Sequence, residues 1–109
     1  FIAPEVLNAK KGGGYTYKAD VYSFGMILYE LLTLSEPYEG CKMLDISNLI
    51  LSGQVPKLPE FVDVQYSVFR DLYFATTSFN PSERPDMQCV VETVKGMPYI
   101  HNPDAYLFV

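Results

Sequence analysis

The side chains with reactive potential in this chain are few and scattered. Cys41 and Cys89 are its two cysteines, 48 positions apart with no histidine beside either. That spacing matches no zinc site, and both read as free, buried or half-buried thiols of a reducing compartment. His101 is the single histidine, in a proline-containing tail, and reads as a surface side chain. Gly12-Gly13-Gly14 could offer backbone amides to a phosphate. It lacks the Gly-x-x-x-x-Gly-Lys-Ser/Thr pattern and follows no strand, so it reads as a flexible loop. No nucleophile elbow and no metal-ligand cluster occurs. No catalytic, cofactor-binding or metal-binding residue is therefore expected within these 109 residues.

The elements that must carry these residues read as helices throughout. Ala19 to Leu34 is the central one, with only Asp20, Ser23, Glu30 and Thr33 polar among its sixteen positions. A helix that is apolar nearly all round is buried on most sides, so this segment is predicted to be the core around which the others pack. Thr16 is placed to cap its start. Upstream, Pro4 suits the entry to a helical turn within residues 1–9, and Lys10 to Gly14 reads as a loop. Downstream, Ser35 to Lys42 contains Pro37 and Gly40 and reads as a turn. Met43, Ile46, Leu49 and Ile50 make one helical stripe, ended by Gly53. Residues 53–64, with Pro56 and Pro59, read as an extended loop. Val68, Phe69, Leu72 and Tyr73 predict a helix over 65–77. Met87, Val90, Val91 and Val94 fill the i, i+3, i+4, i+7 template of a last helix over 86–95. An irregular aromatic tail with Pro98 and Pro103 follows Gly96. No segment alternates as a strand does, and there is no internal repeat. The predicted fold class is all-α, about five helices around a buried central helix.

Composition agrees with an ordered chain. Its 49% apolar and 19% charged residues, with nine tyrosines and seven phenylalanines, suit one domain or part of one. The net charge of −5 argues against nucleic acid or an anionic membrane as partner, since both need a basic footprint. No run of about 18 apolar residues exists; the stretch around 24–34 is too short and contains Glu30. The first residues lack the basic region and cleavage site of a signal peptide. A cytoplasmic protein is expected.

Three motifs stand in a fixed order: Ala3-Pro4-Glu5, Asp20-Val21-Tyr22-Ser23-Phe24-Gly25, and Pro81-Ser82-Glu83-Arg84-Pro85. Together they resemble the C-terminal lobe of a eukaryotic protein kinase, from the end of the activation segment to the last helix. The resemblance implies a kinase C-lobe portion over 1–96 and a tail over 97–109. It implies an ion pair between Glu5 and Arg84, buried as the family has it. It assigns Asp20 to accept hydrogen bonds from backbone amides of the catalytic loop, although a carboxylate also suits any helix N-terminus. Ala3, Pro4, Glu5, Asp20, Gly25 and Arg84 are thus the family's structural positions. Ile27 and Leu31 match the apolar positions on which the family's internal hydrophobic columns rest.

Phosphoryl transfer in such enzymes needs a Gly-rich loop, a strand lysine, a His-Arg-Asp base and a metal-binding Asp-Phe-Gly. The resemblance places all of these ahead of Phe1. The parent would therefore be an ATP- and Mg-dependent protein kinase acting on protein substrates, while this segment, without its N-lobe and catalytic loop, would be inactive. The second motif, and Gly53 followed by Pro56 and Pro59, resemble the tyrosine-kinase-like group of Ser/Thr kinases, with the Roco and leucine-rich-repeat kinases as one branch. Thr76-Thr77 stands where many of that group have Cys-Trp, and Val55 where an arginine is frequent. The alternatives are a pseudokinase scaffold on the same fold and an unrelated all-α interaction module.

Overall fold

Each helix begins and ends where its local chemistry dictates. The computed structural model describes residues 2–8, 16–59 and 67–96. Helix α1, Pro4–Leu7, is one turn opened by Pro4, whose missing N–H costs nothing there. Helix α2, Tyr17–Thr33, is capped by Thr16, whose extended backbone lets its hydroxyl accept from Lys18 N–H. It ends at Leu34, in the left-handed region at φ 56°. Helix α3, Met43–Leu51, closes through Gly53 at φ +83°, whose N–H reaches Ile50 while Gln54 N–H reaches Leu49. Helix α4 is Ser67–Thr76, and a 3₁₀ turn, Pro81–Glu83, is capped by the Asn80 side chain. Helix α5, Met87–Lys95, starts at Asp86, whose carboxylate accepts from Cys89 N–H. The described residues contain no strand.

Packing follows from α2, which lies along α4. Val21 and Leu28 of α2 meet Leu72 and Tyr73 of α4 and Val90 of α5 in one cluster. Ala3, Ala19, Tyr22 and Met26 form a second, which fastens α1 to the first turns of α2. Complete burial of an aliphatic side chain of this size contributes ~1.5–3 kcal/mol. Tyr73, wholly buried, donates its hydroxyl to Pro56 O at 2.6 Å and so holds the extended 54–59 segment against α4.

Three expectations need correction. The central helix is buried on one side, not on most sides: Asp20, Ile27, Leu31 and Leu34 fall on one exposed stripe, with Ile27 at 56% and Leu31 at 53% exposure. Among the described residues α4 and α5 pack against Val21, Gly25 and Leu28 and Ala3 against Tyr22 and Met26, while Ile27 and Leu31 stay more than half exposed. On α3, Met43 points outward at 78% exposure, and the inward residues are Ile46, Leu49 and Ile50. Cys41 and Cys89 are free, but both are exposed, not buried. Cys89 precedes the buried Val90 by one position, and 100° of helical rotation carries it to the solvent side. The Gly12–Gly14 run, His101 and residues 97–109 lie outside the described residues.

Candidate functional site

Arg84 is the largest fully buried side chain among the described residues. Pro85 after it disfavours helix at position 84, and the backbone there is extended at φ −78°, ψ 142°. The side chain therefore turns inward from the end of the 3₁₀ turn. Its guanidinium meets the Glu5 carboxylate head-on, with Nη1 2.7 Å from Oε2 and Nη2 2.9 Å from Oε1. The remaining N–H groups are also used. Nε donates to Ser78 O at 2.7 Å, Nη1 to Lys18 O at 3.0 Å, and Nη2 to Phe79 O at 3.2 Å. All five donors of the fork are satisfied, the condition under which a buried cation is tolerated.

The two side chains of the pair differ in exposure, 0% for Arg84 and 17% for Glu5. Ala3 is buried against α2 and its carbonyl accepts from Val6 and Leu7, so Ala3-Pro4 sets the one-turn helix that presents Glu5. The pair thus bridges α1 and the loop before α5, 79 positions apart.

Lys18 and Tyr22 complete the site and were not singled out from the sequence. Lys18 gives its carbonyl to Arg84 Nη1 and donates its Nζ to Arg84 O, a reciprocal clasp. The Tyr22 ring lies under the guanidinium, 4.9 Å from its centroid to Cζ, a cation–π arrangement. Their i, i+4 spacing at the start of α2 puts both on one face, which is the only hint the sequence held. Burial, reinforced by its hydrogen bond to Tyr38, pushes the Tyr22 phenol well above its ordinary pKa. Tyr38, itself at φ 56°, donates its hydroxyl to Gln54 O at 2.7 Å. Arg84 thus joins the Glu5 carboxylate to the face of the Tyr22 ring, while Tyr38 anchors Gln54 just beyond α3.

Partial burial works against the Glu5 charge, but hydrogen bonds from Arg84 and from its own backbone N–H, with the Arg84 charge, outweigh it and hold the carboxyl below 4.5. A depressed carboxyl stabilises the fold above its unfolded pKa, and that contribution is lost as pH falls through the folded value. Glu5→Gln is expected to leave a shallower loss of stability below about pH 4.5, the ordinary glutamate value, than the unsubstituted chain shows. Thermal melts from pH 7 to pH 3 check this; parallel curves for both proteins contradict it.

Gly25 sits where α2 and α4 touch. A Cβ there would stand 2.5 Å from both Thr76 Oγ1 and Thr77 Cγ2, inside any permissible contact. Thr76 and Thr77 are themselves buried, with hydroxyls returned to the Leu72 and Tyr73 carbonyls. The Thr-Thr pair and the glycine are thus one packing unit. Asp20 is exposed in the first turn of α2.

The arrangement is a clamp that ties α1, the start of α2 and the loop before α5 together. Among the described residues no three His, Cys, Asp or Glu side chains are grouped to hold a metal. A family model described as protein tyrosine and serine/threonine kinase matches residues 1–94. The chain belongs to that family. Its helices are those of a kinase C-lobe portion. Similar kinases include a "Probable LIM domain-containing serine/threonine-protein kinase" of Dictyostelium discoideum, 33% identical over 95 residues, which cover 87% of this chain and 14% of the relative. From the same organism, "Kinase and exchange factor for Rac B" is 32% identical over 102 residues, 89% of this chain and 9% of its own length. A third, "Probable serine/threonine-protein kinase drkC", is 36% identical over 98 residues, 89% of this chain and 12% of that protein. The chain therefore spans between 9% and 14% of these relatives.

Proposed function

We propose that residues 1–96 form the substrate-side helical lobe of an ATP-dependent, Ser/Thr-directed protein kinase of the tyrosine-kinase-like group, with 97–109 a tail beyond it. The observation that carries this reading is the two-pronged Glu5–Arg84 contact within a chain of the kinase family. Such a contact fixes the segment carrying Ala3-Pro4-Glu5 onto α2 and the loop before α5, and so gives a protein substrate a rigid platform. Ser/Thr preference is supported by the printed names of the relatives. Parent partners are protein substrates, not nucleic acid or membrane, and the setting is cytoplasmic. No described helix is long and apolar enough to cross a membrane.

Among the described residues no group of three carboxylate, histidine or cysteine side chains is brought together that could hold magnesium. In this reading ATP and Mg are held by other parts of the parent, and no phosphoryl-transfer step runs through the residues described. The 109-residue chain is therefore expected to show no saturable binding of Mg-ATP in calorimetric titration. Micromolar affinity would overturn that expectation. A longer chain carrying this segment should phosphorylate Ser/Thr peptides; one whose preceding residues lack His-Arg-Asp and Asp-Phe-Gly would favour the scaffold reading.

A further inference from the structure

Helix α3 is fastened to the rest of the chain more thinly than its neighbours. Among the described residues neither apolar cluster includes a side chain of α3. Ile50 is its one fully buried residue, while Met43 and Leu44 stand 78% and 73% exposed. A helix of nine residues is marginal in water by itself, so α3 persists only while its attachments hold.

The entry and exit of this helix are tied together. Tyr38 donates its hydroxyl to Gln54 O at 2.7 Å across 16 positions, and Tyr22 of α2 hydrogen-bonds Tyr38 in turn. The exit is anchored by other means as well, because Val55 packs against both clusters and Pro56 O accepts from the buried Tyr73. On the entry side Pro37 is buried, whereas Glu39 and Gly40 are exposed. Residues 39–53 therefore project from a base made of Pro37 and Tyr38 on one side and Gln54 and Val55 on the other.

The backbone is unusual at both necks. Tyr38 holds φ 56°, Gly40 φ +82° and Gly53 φ +83°. A bulky residue in the left-handed region is strained, and such strain persists only where its surroundings impose it. Here the side-chain contact with Gln54 and the hydrogen bond from Cys41 N–H to Tyr38 O impose it. Nothing lies within 4 Å of where a Gly40 Cβ would stand, so that glycine serves the backbone bend alone. Left-handed glycines on both sides of one helix give it two places at which the chain can turn.

We propose that residues 39–53 form a flap, hinged at Gly40 and Gly53 and latched at its base by Tyr38 against Gln54, which opens while α2, α4 and α5 stay packed. Opening carries Leu51 away from Pro4, Asn8 and Phe79, with which it lines a concavity when the flap is closed. The flap is independent of what the parent phosphorylates, so it can fail while the kinase reading stands, and the reverse.

Native-state hydrogen exchange on the 109-residue chain, resolved by residue with NMR, tests this. Amides 47–51 are expected to lose protection as a group, at least tenfold below the amides of α2 and α4 around Tyr22 and Leu72, because the detached helix cannot keep its own hydrogen bonds. Tyr38→Phe keeps the ring and removes the latch donor. It should lower α3 protection several-fold further, the scale of one hydrogen bond, and leave α2 and α4 within twofold. Gly40→Ala puts a methyl into open space and strains only the closed hinge, so it should shift α3 in the same direction without touching the latch. Equal protection of α3, α2 and α4, an equal loss across all three helices in Tyr38→Phe, or α3 protection unchanged in both variants would each overturn the proposal.

Discussion

Arg84→Ala is expected to be among the most destabilising single substitutions in this chain, at ~3–5 kcal/mol, the cost of removing one partner of a buried ion pair. The change does more than remove a charge. It leaves the Glu5 carboxylate with its two closest donors gone, and strips Lys18 O, Ser78 O and Phe79 O of a partner each. Glu5 keeps some solvent access, so water relieves part of the loss and the lower end of the range is the firmer expectation. Against a usual stability of ~5–15 kcal/mol, even 3 is a large fraction. Arg84→Lys should recover less than half, because one ammonium cannot reproduce a five-donor fork. Urea unfolding followed by circular dichroism measures both. A double-mutant cycle with Glu5→Ala should give a coupling clearly above the ~0–1 kcal/mol of an exposed pair. A loss under 1 kcal/mol for Arg84→Ala would show that the clamp does not hold α1 to the lobe.

Gly25→Ala is the second large effect, and its sign depends on two opposed terms. Replacing a mid-helix glycine by alanine favours the helix by about 0.8–1.0 kcal/mol. Against that, the new methyl meets Thr76 Oγ1 and Thr77 Cγ2, each at 2.5 Å. Both are branched side chains pinned by hydrogen bonds to their own helix, not flexible ends that can swing away. Helices α2 and α4 must separate, and overpacking of this kind costs ~1–3 kcal/mol, here towards the upper figure because two contacts clash at once. The expected net loss is about 2 kcal/mol. Adding Thr76→Ala and Thr77→Ser removes both offending atoms and should restore most of the helical gain. If Gly25→Ala alone raises the melting temperature, the close approach of α2 and α4 is wrong.

These two residues show how differently the site was legible. Glu5 and Arg84 could be paired because the resemblance supplied the partner; nothing in charge or spacing links positions 79 apart. Gly25 was marked as a family position, and Thr76-Thr77 as a departure from the group's Cys-Trp, yet no local feature said that these belong together. Lys18 went unremarked, since a lysine in the first turn of a helix reads as a solvated charge. Its clasp on Arg84 exists only because the loop before α5 comes back across the start of α2.

By itself, the sequence determined what is local. Thr16, Pro4 and Gly53 act on backbone groups within a few residues, so those element ends followed from residue type, whereas the left-handed Leu34 that ends α2 did not. Helical periodicity likewise gave Phe69, Leu72 and Tyr73 as inward residues of α4, although Val68 of the same stripe is exposed, and it gave much of α3. Tertiary structure decided which apolar residues are covered. Ile27, Leu31 and Met43 are as hydrophobic as Met26 and Ile50, but burial depends on whether another element arrives, and among the described residues none does. It decided the exposure of both cysteines for the same reason. It also made one guanidinium the meeting point of α1, α2 and the loop before α5, because only folding brings Glu5 and Lys18, 79 and 66 positions away, within 3.0 Å of a side chain whose other acceptors are local.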